Sequence, residues 1–135
     1  MNTLIVVLAL VIITFLVWKF WKPYVSPPKR TIASNEARLY FFYTDWCGFS
    51  KKAMPEWEKL EQKLQSTSYF GRTHVTPIRI DAENDRATTT LYEVTGYPDI
   101  KLETQDGIYE YEGPRKVDDL VKFLKDKLGK ESASL

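Results

Sequence analysis

The chain holds a single cysteine, Cys47, in the run Trp46-Cys47-Gly48-Phe49-Ser50-Lys51-Lys52. Before it, Leu39 to Tyr43 is an unbroken apolar and aromatic stretch, the pattern of a strand buried on both faces in the middle of a parallel sheet. After it, Ala53, Trp57, Leu60 and Leu64 recur at i, i+4, i+7 and i+11, the apolar stripe of a helix. The sequence therefore puts the thiol where a strand ends and a helix begins. The unsatisfied N–H groups and positive dipole end of that helix favour an anion and depress a thiol's pKa. Since the thiolate is the attacking species in disulfide exchange, thiolate chemistry is the first expectation.

Other chemistry finds less support. His74 is the only histidine, 27 positions from Cys47 and on an expected loop, so it reads as a surface residue. No Cys/His cluster exists to hold zinc, and no Ser–His–Asp or Cys–His pairing is indicated. Glu56, Glu58 and Glu61 read as the solvated face of the helix.

Stepping outward along the chain, 135 residues give room for one globular domain and an appendage. Leu4 to Trp18 carries no charge, and Phe20 and Trp21 extend it past Lys19; as a helix it would be about 27 Å long, near the thickness of a bilayer core. Residues 1–21 are expected to be an uncleaved single-pass transmembrane anchor, with no basic n-region or small-residue cleavage site to make it a signal peptide. Lys19, Lys22, Lys29 and Arg30 all follow the span, so the charge bias places the following domain in the cytosol. Residues 22–35 read as a basic, Pro-rich linker suited to anionic headgroups. The remainder holds 15 of the 19 basic residues against all 18 acidic ones, which argues against nucleic acid as a partner.

Past the first helix, which is expected to fray around Gln65 to Ser68, Val75–Asp81 reads as a strand and Ala87–Val94 as a short helix. Ile100–Glu103 and Ile108–Tyr111 read as strands around an Asp106-Gly107 turn. Val117, Leu120, Val121, Leu124 and Leu128 line a closing helix capped by Gly129, with 131–135 as a tail.

The run FYTDWCGFSKKAMPEWEKL resembles the active-site strand, turn and helix of the catalytic thioredoxin domains of protein disulfide isomerases, including a proline inside the helix, here Pro55. VTGYPDIK and YEGPRKVDDLVKFLK continue the resemblance in order, over roughly residues 36–130. It implies a minimal thioredoxin-like α/β fold, a central mixed sheet flanked by helices, without the family's usual leading strand and helix. Val75–Asp81 would then be a sheet edge, guarded by Arg79. It implies a cis Tyr97–Pro98 bond facing Cys47, with Tyr97 backbone pairing to an extended substrate. Trp46 would be a wall of the substrate groove, or simply core. Arg115 matches a position that modulates the second cysteine in isomerase domains, or is a solvated Arg at a helix start.

Two departures bear on activity. Ser50 replaces the second cysteine of the family's CxxC pair, and Phe41 stands where the catalytic domains keep a buried Glu. With one cysteine, no intramolecular disulfide forms and a dithiol cycle is excluded. The sequence thus points to monothiol exchange: Cys47 forms mixed disulfides with protein clients, released by glutathione or another thiol, with no resident cofactor. A Cys47-linked homodimer is a further outcome. The alternatives are a non-catalytic adaptor binding extended segments at Tyr97–Pro98, and a monothiol glutaredoxin-like [2Fe–2S] protein, since CGFS also resembles that motif. Small anchored domains of this kind also resemble proteins of large DNA viruses. Family resemblance would place the domain in the ER lumen or a virion membrane, against the charge bias.

Overall fold

The structure is a computed structural model and describes residues 2–20, 32–67, 69–129 and 131–132. Trp21 at the end of the expected anchor, residues 22–31 of the expected linker and part of the tail lie outside the described residues. The chain divides into two units, Met1–Arg30 and Thr31–Leu135.

The first unit is the helix α1, Asn2–Phe20. Val6, Val7, Leu8, Leu10, Val11, Ile12, Ile13 and Phe15 are all exposed. The one polar side chain in this stretch, Thr14, turns its hydroxyl back onto the Val11 carbonyl at 2.9 Å. Among the described residues no helix is long and apolar enough to cross a membrane.

In the second unit the apolar run becomes β1, Glu36–Tyr43, with residues 39 to 42 buried. It pairs parallel with β3, Thr73–Asp81, and antiparallel with β4, Asp99–Thr104. Two parallel neighbours in a sheet need a crossover, and α2, Gly48–Ser66, supplies it. β5, Gly107–Glu110, returns antiparallel beside β4, and Thr104 pairs with Gly107, so the turn residues are Gln105 and Asp106 rather than Asp106 and Gly107. The six-stranded sheet runs β5-β4-β1-β3-β2-β6.

The strands β2, Tyr69–Phe70, and β6, Glu131–Ser132, were not foreseen. They have two residues each, too short for an alternating pattern to register, and β6 takes up the start of the expected tail. Val75–Asp81 is thus not the last strand of the sheet, since β2 and β6 lie beyond β3, but β2 pairs with it only at Thr73 and His74, and along Val75–Asp81 its side away from β1 carries no strand among the described residues. Arg79 on this edge reaches Glu61 at 3.1 Å and Glu58 at 3.7 Å on α2.

Alternation in β1 sorts its side chains between two cores. Ala37, Leu39 and Phe41 face α2 and α4, Val117–Leu128, packing with Trp57, Leu60, Leu64, Leu120 and Leu124. Tyr40 and Phe42 face the opposite side with Tyr92, just after α3, Arg86–Leu91, which stops three residues short of the expected Val94. The C-terminal turn of α4 closes on Gly129, whose φ of 103° is a conformation that favours glycine.

Of the acidic residues of α2 expected on a solvated face, Glu58 is exposed but Glu56 and Glu61 are not. Glu56 accepts the Val117 N–H at 3.1 Å and so caps α4, whose own N-cap residue Lys116 makes no side-chain cap. The Lys59 ammonium at 2.6 Å, chiefly, and the Val117 N–H hold its carboxyl below the usual range. Glu61 accepts the Trp57 indole N–H at 2.8 Å as well as pairing with Arg79. These carboxylates tie α2 to α4 and to β3.

Candidate active site at the start of α2

Cys47 is the N-cap residue of α2, with φ −82° and ψ 116°. Extended backbone there ends the turn from β1 and lets the first helical N–H groups converge on its sulfur. The Ser50 backbone N–H is the largest influence drawing the thiol below its ordinary value; the Ser50 hydroxyl and the Phe49 N–H add to it, while partial burial opposes. One contact works the other way. Protonated Sγ donates to the Tyr97 carbonyl at 3.4 Å, a bond the thiolate loses. The sulfur therefore sits between donors that welcome its anion and an acceptor that welcomes its proton.

The Tyr97–Pro98 peptide bond is cis, as the family resemblance implies. Arg115 is exposed yet not merely solvated: its guanidinium donates to the Pro98 carbonyl at 3.3 Å, so it braces the loop that faces Cys47. Trp46 is not core. It is 65% exposed, its indole N–H donates to Glu83 at 3.1 Å, and its ring meets Tyr97 edge-on at 6.1 Å. Phe49, two residues after Cys47 and 74% exposed, escaped sequence reasoning, which had no partner residue to weigh it against. Ser50 is buried, with its hydroxyl oxygen 3.4 Å from the Thr44 N–H. The structure thus brings Trp46, Cys47, Ser50, Tyr97 and Pro98 together, with Arg115 behind Pro98.

Beneath the site, Phe41 is fully buried and stacks on Trp57 with centroids 4.9 Å apart and planes 15° from parallel. In register beside it on β3 is Arg79, whose charge is already matched by α2. A buried carboxylate does exist, but on the other face of the sheet. Glu103, 2% exposed, accepts from the Tyr92 hydroxyl at 2.7 Å and the Tyr40 hydroxyl at 3.3 Å, with Arg38 at 4.0 Å. Burial, and then these hydrogen bonds, push the Tyr92 phenol well above its ordinary range. Nearby Lys101 is buried against Asp99 at 3.2 Å, and burial raises the Asp99 carboxyl. The period-2 pattern could not signal this cluster, because burial of Glu103 depends on tyrosines distant in sequence. Nothing in its geometry connects it to Cys47.

Among the described residues no group of three or more His, Cys, Asp and Glu could hold a metal ion. His74 lies at the start of β3, its ring against Tyr69 and near Thr76, away from the thiol.

An open mixed sheet with a lone thiol capping the crossover helix opposite a cis-proline loop defines a class of thiol-bearing domain. Residues 26–126 match the thioredoxin family model, and the chain belongs to that family. It is 36% identical over 95 residues to a probable protein disulfide-isomerase A4 of Caenorhabditis elegans, covering 70% of this chain and 15% of that protein. It is 37% identical over 112 residues to protein disulfide isomerase-like 1-1 of Arabidopsis thaliana, covering 78% and 21%. The chain therefore spans about a fifth or less of the length of these relatives. The first thioredoxin domain of mouse protein disulfide-isomerase A4 superposes with a TM-score of 0.58 at 28% identity, over 67% of this chain and 61% of that one. Human ERp44 does so with a TM-score of 0.59 at 25% identity, over 70% and 28%.

Proposed function

We propose that the protein is a membrane-anchored monothiol exchanger that captures protein clients as mixed disulfides on Cys47. The observation that carries the reading is the placement of Sγ, 3.4 Å from the carbonyl of the cis-proline loop and at a helix start whose N–H groups stabilise its anion. The Cys47 thiolate attacks one sulfur of a client disulfide; a Cys47–client bond forms and the other client sulfur leaves as thiolate. Ser50 donates to the Cys47 anion but has no sulfur with which to break the adduct. Release therefore needs a second thiol, which makes holding or shuffling of clients the expected outcome, not net oxidation. The Tyr97–Pro98 backbone beside the sulfur and the exposed Trp46 and Phe49 on either side of Cys47 in the chain would seat the client segment around its cysteine.

Rapid alkylation in cells followed by electrophoresis without reductant tests this. Wild type should give a ladder of client adducts that collapses on reduction and is lost in Cys47→Ala, while Ser50→Ala keeps it. A single band at twice the mass would instead mean a Cys47-linked homodimer. The purified thiol should alkylate with a midpoint below the roughly 8.5 of a free cysteine. Absence of adducts, with a midpoint at or above that value, would sink the proposal and favour noncovalent binding at the Tyr97–Pro98 loop.

Anchoring is proposed from the sequence, the run from Leu4 to Trp21 with Lys19 as its one charge, of which the helix described does not by itself reach the length and apolarity of a span. Lys19, Lys22, Lys29 and Arg30 at and beyond the end of the run support a cytosolic side for the domain. Carbonate-washed membranes should retain the protein, and protease added outside sealed microsomes should digest the domain. Protection until detergent is added would reverse the orientation and fit a lumenal home.

A further inference from the structure

We propose that Phe49 sets which clients Cys47 captures: with Trp46 it forms an apolar clasp for a bulky apolar residue, aromatic or branched aliphatic, directly beside the client's cysteine. This rests on the monothiol reading and names the class of client that the reading leaves open.

Among the described residues of the second unit, few large apolar side chains are exposed. Tyr69, Ile108 and Leu91 are 37%, 39% and 46% exposed, against 65% for Trp46 and 74% for Phe49. The two most exposed are thus the ones that bracket Cys47 in the chain. Single apolar residues scattered over a surface are ordinary, but two large rings around one nucleophile point to a contact. Trp46 is already held in place: its indole N–H donates to Glu83 at 3.1 Å and its ring meets Tyr97 edge-on. One side of the clasp is therefore preformed.

Phe49 is tied to the sulfur through the backbone. Cys47 caps α2, Phe49 is the second residue of that helix, and its N–H is among those turned toward the thiol. Between the two rings in the chain stands Gly48. A Cβ built there meets no atom within 4 Å, and its φ is not in the region that favours glycine, so nothing in the folded chain demands a glycine. The space over Gly48 is left open for whatever is bonded to Cys47.

Covalent attachment decides what fills that space. A disulfide holds the two Cα atoms about 5.5–6 Å apart, and an extended chain advances about 3.5 Å per residue. Once a client is bonded to Cys47, the residue next to its cysteine falls within a side-chain length of both rings, and residues further along do not. Selection therefore acts on the immediate neighbours of the cysteine. Charge offers no competing rule, since Glu83 is engaged by Trp46 and Lys51 lines a separate cleft with Asp45 and Glu58. An aromatic or branched client side chain laid between the rings removes apolar surface from water on both partners, and an aromatic one adds ring–ring attraction.

The test uses the detergent-solubilised full chain and short glycine-rich peptides whose single cysteine carries a 2-thiopyridyl group in disulfide linkage. The neighbour of that cysteine is phenylalanine, leucine, serine or aspartate. The Cys47 thiolate attacks the peptide sulfur, the Cys47–peptide disulfide forms, and pyridine-2-thione leaves, so one disulfide is exchanged for another and absorbance times the capture. Comparing wild type, Phe49→Ala and Phe49→Leu with one peptide at a time cancels that peptide's own reactivity and its partition into detergent. Phe49→Ala should slow capture of the phenylalanine and leucine peptides roughly fivefold, the scale of one aromatic contact, and of the serine peptide less than about twofold. Phe49→Leu should recover part of the loss. Alkylation by iodoacetamide, in which no client is seated, should keep its rate in all three proteins. Equal slowing of every peptide, or slowing of none, overturns the clasp. So does a preference for the aspartate peptide that survives Phe49→Ala, which would make Lys51 and Lys52 the residues that read the client. If wild type is alkylated by iodoacetamide yet forms no adduct with any peptide, the monothiol reading itself has failed, and this shows before any variant is made.

Discussion

Phe41→Glu is expected to lower the free energy of unfolding by about 4 kcal/mol or more, a large part of the roughly 5–15 kcal/mol that holds a domain together. Phe41 has no exposed surface, and its ring lies flat on Trp57, itself 1% exposed. A carboxyl there forfeits the stack and buries a polar group. Arg79, in register on β3, is a cation placed to offset this, but Glu61 and Glu58 already hold it. The new group would stay protonated in the fold, with its pKa raised by burial. The sign follows: such an acid is least harmful below the unfolded value near 4.3, and the loss grows as pH rises above it and the unfolded state ionises. Urea unfolding followed by far-ultraviolet circular dichroism at pH 5 and pH 7 measures both effects. Phe41→Leu should cost far less. A Glu variant within about 1.5 kcal/mol of wild type would mean that Arg79 leaves α2 for it, and that the site tolerates a carboxylate.

The same position shows where the sequence is readable. Leu39 to Phe42 is apolar without alternation, and only a strand covered on both faces needs that; β1 is such a strand. The stripe Ala53, Trp57, Leu60, Leu64 told which face of α2 turns inward, because the helical period alone decides it. Cys47 as cap and the cis bond before Pro98 were legible through motif and resemblance. What escaped depends on partners far along the chain. Glu56 looks like any exposed helix carboxylate until α4 arrives with an uncapped N-terminus. Glu103 looks like the polar end of a strand until Tyr92 and Tyr40 close over it. Trp46 could have been core by composition alone, and only the packing turns it outward toward Glu83. Arg115 likewise gains a role only once the cis-proline loop offers it a carbonyl.

Ser50→Cys is expected to erase most of the client ladder, by about tenfold or more. Ser50 is buried beneath the Cys47 sulfur, and its hydroxyl is among the groups that draw the thiol's pKa down, so a sulfur in its place lies within reach of an adduct. The new thiolate would attack the Cys47 sulfur of the mixed disulfide. An internal disulfide then forms and the client departs as a thiol, so no external thiol is needed. Intramolecular attack outcompetes a dilute second thiol because orientation supplies a large effective concentration. The variant should run as monomer without reductant, bind two equivalents of alkylating reagent after reduction, and bind none before it. Adding Phe41→Glu should not improve it, since the fold would lose more than proton transfer could return. A ladder undiminished in the single variant would show that the second position, though buried beside the thiol, has no line of attack on an occupied Cys47. Long-lived client adducts would then follow from the geometry of the α2 start, not from the missing sulfur.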